Sequence, residues 1–271
     1  MEVGVAACIG VRFGLPRKGD VMRKMGRLSV VMAVFAAMSL AAAPAALGDE
    51  HIPTCLGVDL DDPMFEGGNL ILGTDGKDVL VGTDGFDVII GGDGDDVIRA
   101  LGGDDLVAGC GGDDVIDGGD GNDGILGDDL AFFGDPGAVG GNDRIHGGPG
   151  NDEILAGPGD DIAHGGSGND FLALAQGDDQ GYGGSGDDQI IGGLGDDTVL
   201  GQGGADVLFG GPHSDHINGG PGDDFIGGDL PDFFPPPPGV PLPPGDDICQ
   251  GASGVDTSLG CESNQSIEET L

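Results

Sequence analysis

Tryptophan is absent from this 271-residue sequence, tyrosine occurs once, and aromatic residues make up only 4% of it. A conventional globular core, which leans on large aromatic side chains, is thereby disfavoured. Positive charge is also scarce: 9 Lys and Arg stand against 49 Asp and Glu, a formal net charge of −40. Six of the nine basic residues (Arg12, Arg17, Lys18, Arg23, Lys24, Arg27) precede residue 28, and only Lys77, Arg99 and Arg144 follow residue 48. So acidic a surface repels nucleic acid and anionic membranes, and its natural partners are multivalent cations. No GxSxG, HExxH or Walker-type run occurs, so no catalytic motif points to an enzyme. His213-x-x-His216 lacks a third fixed ligand and reads as surface.

What the chain has in excess is glycine, 61 residues. Glycine with this much charge ordinarily signals disorder. Here, however, hydrophobic residues still make up 38% and recur at a fixed period. Cut in nines from Gly73 the sequence reads GTDGKDVLV, GTDGFDVII, GGDGDDVIR and onward to GGDGNDGIL, six units in all. After an interruption it resumes at Ala138 and continues through GGSGNDFLA and GGLGDDTVL to GGPGDDFIG, ten more units. Position six is Asp in all sixteen, position four is Gly in fifteen (His213 excepted), and position eight is Ile, Leu or Val in fourteen (Ala163 and Gly181 excepted).

Each column has a physical reason. Six residues rich in Gly, Asn and Asp can turn through φ > 0. The next three form a short strand whose middle residue points one way and whose neighbours point the other. One apolar residue in nine cannot make a core alone, but stacked in coils the column from Leu80 to Ile226 becomes a continuous internal ladder. Position seven, apolar in Val79, Val88 and Val97 but polar in Arg144, Glu153, Gln180 and Gln189, is expected to face outward. Two units per coil give two short parallel sheets facing each other and a rod on the order of 40 Å long, at about 4.8 Å per coil. Position-six aspartates then stack along two edges, and unneutralised they would push the coils apart. Carboxylate and carbonyl oxygens select hard ions, and calcium, which accepts six to eight oxygens in flexible geometry, suits them best.

GGDGDDVIR, GGSGNDFLA and GGLGDDTVL resemble the calcium-binding nonapeptide GGxGxDxUx of the repeats-in-toxin (RTX, hemolysin-type) family. The resemblance runs from residue 73 to 227 and weakens through about 259. It implies an all-β parallel β-roll, a β-solenoid of nonapeptide repeats, with several Ca2+ ions between its turns. The position-six carboxylate is a ligand in that family, joined by carbonyls of the turn. Carried over, the metal-binding residues are Asp78, Asp87, Asp96, Asp105, Asp114, Asp123, Asp143, Asp152, Asp161, Asp170, Asp179, Asp188, Asp197, Asp206, Asp215 and Asp224. Ala100, Ala138, Ala156 and Leu174 replace the first Gly of their units, and His213 replaces a turn Gly, so nearby sites are expected to be weaker or empty. Asp93 and Asp95 occupy variable turn positions and are expected mainly to add charge.

Outside the repeats, Arg23-Lys24-Met25-Gly26-Arg27 precedes LSVVMAVFAAMSLAAA and a small-residue exit. That is the pattern of a secretory signal peptide over residues 1–48, with Met22 the more conventional start, and no membrane span is expected after its cleavage. Residues 49–72 read as an N-terminal cap. The roll of 73–227 carries an inserted loop near 127–137, and 228–271 holds a Pro-rich loop, degraded repeats (Asp247, Asp256) and a C-terminal cap. Each insertion contains a Phe pair, Phe132-Phe133 and Phe233-Phe234, expected to fold back over a flank of the roll. An exported chain meets oxidising conditions, and Cys55, Cys110, Cys249 and Cys261 are even in number. Three pairings are possible; nearness in sequence favours Cys249–Cys261, leaving Cys55–Cys110. The expected protein is a secreted calcium-binding β-roll without catalytic activity. The alternatives are an extracellular adhesin using calcium as scaffold, with a cell-surface or polysaccharide partner, and more distantly a polysaccharide-modifying enzyme.

Overall fold

A computed structural model describes residues 68–128, 140–228 and 248–251, together with the strand backbones of 257–259 and 263–265. Twenty short strands, β1 (Asn69–Leu72) to β20 (Ser263–Gln265) in chain order, sort strictly by parity. Odd strands form one ten-stranded sheet and even strands the other, each strand pairing in parallel with the strand two further on. No helix occurs among the described residues. Alternation of this kind is what a coil of two nonapeptides produces: strand, turn, opposing strand, turn. The leader, most of the N-terminal cap, both Phe pairs and the Pro-rich loop lie outside the described residues.

Position eight builds the interior as its spacing requires. Ile89, Val107, Ile125, Ile154, Leu172, Ile190, Leu208 and Ile226 stack in register along the odd sheet, each 0–1% exposed. Ile98, Ile116, Ile145, Val199 and Ile217 line the even sheet, and Cys249 continues that column. The two exceptional units contain their own compensation. Gly181 leaves a gap at position eight, and Leu174, at position one of the same unit, fills it: a Cβ placed on Gly181 would lie 2.9 Å from Leu174 Cδ1. Ala163 is likewise accompanied by Ala156, and both are fully buried. Apolar residues at position one therefore contribute to packing, a role that their reading as damaged turn residues overlooked.

The outer faces differ between the sheets. On the even sheet Val79 and Val81 are exposed, as are Arg99, Asp117, His146 and His164, which agrees with outward-facing positions seven and nine. On the odd sheet the same positions are largely buried: Val88, Ile90, Ala108, Leu126, Leu155 and Val207 are all below 9% exposed. Ile90, Ala108, Leu126 and Leu155 form a second apolar cluster with Cys110. Sequence supports this once the units are separated by parity, because position nine is apolar throughout the odd sheet and mostly polar on the even one (Arg99, Asp117, His146, His164, Asn218).

The insertion enters the coil at a definite point. Strand β7 (Gly124–Asp128) runs on beside β5 (Leu106–Gly111), with Asp128 opposite Cys110. Gly127, not Ala138, takes the position-one place of this unit, beside the Asp143 carboxylate and the Ala156 carbonyl. The loop thus interrupts a turn after its second position, and the chain re-enters at Gly140 and Gly141.

Candidate metal centre

Two ladders of buried aspartate run along the edges of the coil. On one edge the amide N–H of Asp78 donates to Asp96 Oδ1 at 2.8 Å, that of Asp96 to Asp114, that of Asp114 to Asp143, and so on to Asp215. On the other edge the same bond links Asp87 to Asp105, Asp123, Asp152, Asp170, Asp188, Asp206 and Asp224. Each of the sixteen sequence-designated aspartates is thus a rung, and those from Asp87 to Asp224 are at most 2% exposed. The invariance of the column has a clear cause: one carboxylate oxygen tethers each coil to its predecessor.

The second oxygen is the informative one. Oδ2 of Asp96, Asp105, Asp114, Asp123, Asp143, Asp152, Asp161, Asp170, Asp179, Asp188, Asp197 and Asp206 is buried and meets no hydrogen-bond donor. A buried carboxylate oxygen without a partner is costly, by several kcal/mol when charged. In nine of these twelve units Oδ2 faces a position-one glycine; Asp105, Asp161 and Asp179 have Ala100, Ala156 and Leu174 at that place. A Cβ placed on Gly118 would lie 2.6 Å from Asp123 Oδ2 and 2.8 Å from the Gly147 carbonyl of the next coil, and one on Gly192 would meet Asp197 Oδ2 and the Gly210 carbonyl at 2.5 Å each. Carboxylate and carbonyl oxygens from successive coils therefore converge on a recess kept open by missing side chains. Among the described residues no three His, Cys, Asp or Glu side chains form a metal cage. A cation here would take one or two carboxylates plus backbone carbonyls, a hard-oxygen set.

Burial raises the carboxyl pKa values from the ordinary 3.8. Asp105, Asp123, Asp170 and Asp188 are pushed up to about 6. Asp143, Asp152, Asp161, Asp197 and Asp206 reach about 7, Asp114 about 8 and Asp179 about 9. Desolvation is the leading cause throughout; the amide donated from the preceding coil pulls back, and for most of them neighbouring aspartates push further. Without a counter-ion these groups resist ionisation in the folded coil.

Two features were not anticipated from sequence. Position five, expected mainly to add charge, carries a second ladder of opposite sense. Asp104 Oδ1 accepts from the Asn122 N–H at 2.8 Å, Asn122 Oδ1 from Asn151, Asn151 Oδ1 from Asn169, and Asn169 Oδ1 from Asp187. Asp95 belongs to the parallel series on the other edge, accepting from Asp113 at 3.3 Å. Its signal was present, since twelve of the sixteen units have Asp or Asn there. The other feature is Asp128 at the root of the insertion, 1% exposed and pushed up to about 9 by burial and by Asp143. Nothing in the repeat pattern marks it, because position two is elsewhere Gly or an unrelated residue.

The turns also carry strain. Most residues at positions two and four adopt left-handed φ, as at Gly92 (109°) and Gly94 (114°). At Leu101 (82°), Cys110 (92°), Ala175 (91°), Gln202 (73°) and His213 (89°) a side chain is held in the same region.

Fold and edges together define a parallel β-solenoid whose turns present buried, donor-free carboxylate oxygens from Asp96 to Asp206. The RTX calcium-binding nonapeptide repeat matches residues 72–107, 101–129, 138–172, 175–208 and 200–230, more than half of the sequence, and the chain belongs to this family. No curated protein matches it.

Proposed function

We propose that the chain is a secreted, non-enzymatic calcium-binding protein whose repeats fold into the β-roll on binding Ca2+. The observation that carries this reading is the row of buried Oδ2 atoms, without hydrogen-bond donors, in recesses also reached by the next coil's carbonyls. The position-six aspartates from Asp78 to Asp224 are its carboxylate ligands, and position-one glycine leaves room for the ion. Calcium would bridge rungs of successive coils, cancelling repulsion that the 18-residue coil itself creates. Binding energy is then available only to the coiled chain, so it is folding energy.

Many weak sites suffice for this. A site with Kd of ~10⁻⁴ M at about 1 mM calcium contributes roughly 1.4 kcal/mol. About a dozen such sites reach ~17 kcal/mol, above the 5–15 kcal/mol typical of a whole domain. Extracellular calcium is the natural supply at that affinity, which fits the signal-peptide pattern of residues 1–48. The disulfides Cys55–Cys110 and Cys249–Cys261 would pin the ends of the roll. Cys110 in β5 and Cys249 in β18 lie toward opposite ends of the roll, where such bridges would act. Reading 49–72 as an N-terminal cap and 228–271 as a C-terminal one follows from the same arrangement.

Far-UV circular dichroism in EGTA, followed by added calcium, tests the proposal. Apo protein should be largely unfolded at pH 8 and gain strand signal over 0.1–10 mM calcium, a range set around ~10⁻⁴ to 10⁻³ M sites. A spectrum unchanged by calcium would sink it.

A further inference from the structure

Asp128 is the buried acidic residue that the repeat does not account for. It ends strand β7 and fills a position-two place that is Gly119, Gly148, Gly157 and Gly166 in nearby turns. Its Oδ2 accepts the Gly141 N–H at 3.0 Å, so it links the two stems of the insertion. Its Oδ1 is buried and meets no donor, and the Oδ2 of Asp143, position six of the same unit, is in the same condition. The charged groups acting on it are Asp143, Asp161 and Asp114, all acidic. The backbone is adapted to its presence: a Cβ on Gly157 in the next coil would fall 2.7 Å from Asp128 Cβ. A carboxylate aimed among other carboxylates, with one oxygen spent on the loop stem and the other unused, has the chemistry of a cation ligand.

We propose that Asp128 supplies an additional side-chain ligand to a hard divalent cation at the root of the insertion, calcium by the nature of its oxygens, held together with Asp143. This rests on the calcium-binding reading above. In the adjacent coils the position-two residues, Cys110 and Gly157, bring no side-chain oxygen; here Asp128 brings a carboxylate, so the site carries one more negative charge than its neighbours and binds more tightly. The ion would close the coil where the insertion cuts its turn, which explains how an interrupted turn keeps the register of Asp114, Asp143 and Asp161.

The test compares full-length wild type, Asp128→Asn and Asp178→Asn by calcium titration calorimetry, with circular dichroism on the same samples. Asp128→Asn preserves volume and the acceptor for Gly141 while removing the charge. Asp178→Asn removes one exposed charge from a position-five rung. Expected is a loss of one ion, or a fall of at least tenfold in the affinity of one site, in Asp128→Asn alone, with full strand signal in saturating calcium. Identical isotherms for wild type and Asp128→Asn would overturn the inference and leave calcium binding standing. No calcium binding by wild type would overturn both. Should Asp128→Asn fail to fold, Asp128→Gly, which carries the residue of neighbouring turns, decides by the same criterion.

Discussion

Proton and calcium should compete for the same edge, and their competition can be sized. Asp143, Asp152, Asp161 and Asp197 stand at about 7 against an ordinary 3.8, chiefly through burial. Three pKa units correspond to about 4 kcal/mol per group. Halved for the solvent that reaches a turn, the figure is about 2 kcal/mol each. Four groups then cost the cation-free coil ~8 kcal/mol when ionised, comparable with the whole stability of an ordinary domain. The sign follows from the direction of the shift. A carboxyl whose folded pKa exceeds its unfolded one favours folding fully below about pH 4, and that contribution is lost as pH rises to about 7. In EGTA the folded fraction read by far-UV circular dichroism should therefore fall between pH 5.5 and pH 8, a range kept above the sequence pI of 4.1. At pH 8 calcium should restore it, and calcium binding near pH 6 should release protons, read from calorimetry in two buffers of different ionisation enthalpy. A folded fraction in EGTA that stays flat or rises with pH would refute the reasoning.

Two further outcomes follow from packing and backbone. Leu174→Ala should cost about 2–4 kcal/mol in calcium-loaded protein, because Leu174, with Ile190 beside it, fills the space over Gly181. Combined with Gly181→Val it should recover much of that loss, whereas Gly181→Val alone should destabilise; additive effects in chemical denaturation would show that the pair does not share a space. His213→Gly should raise the denaturation midpoint by the equivalent of about 1 kcal/mol, since φ of 89° is strained for histidine and free for glycine. A lower midpoint would instead assign the imidazole a stabilising contact.

Much of this architecture was legible along the chain because its rule is local. A period of nine with Asp at six and an aliphatic at eight requires a turn, a three-residue strand and one inward side chain, whichever units are neighbours. The coil and its core column, from Ile89 to Ile226, follow from that, as does the placement of every position-six aspartate on an edge. What escaped depends on which units meet. The coil stacks each unit on the one 18 residues on, so the two sheets evolve separately, and a column averaged over all sixteen units hides the apolar outer face around Ile90 and Leu126. Likewise the exchange of volume between Leu174 and Gly181 is invisible column by column, because each looks like a lapse and only together do they fill one space.

Sequence by itself determined the repeat, the turn-and-strand alternation and the hard-oxygen chemistry of the edges, because these follow from residue types at fixed spacing. Tertiary structure alone decided which oxygens are spent and which remain. From Asp96 to Asp206 stacking gives the position-six Oδ1 an amide from the coil before and leaves Oδ2 buried, in most units beside a position-one glycine. It turns position five into a counter-running ladder, and it brings Asp128 beside Asp143 across an inserted loop. Hydrogen-bond satisfaction is a property of neighbours in space, and in a coil those neighbours are 18 residues away, or 29 where the insertion intervenes.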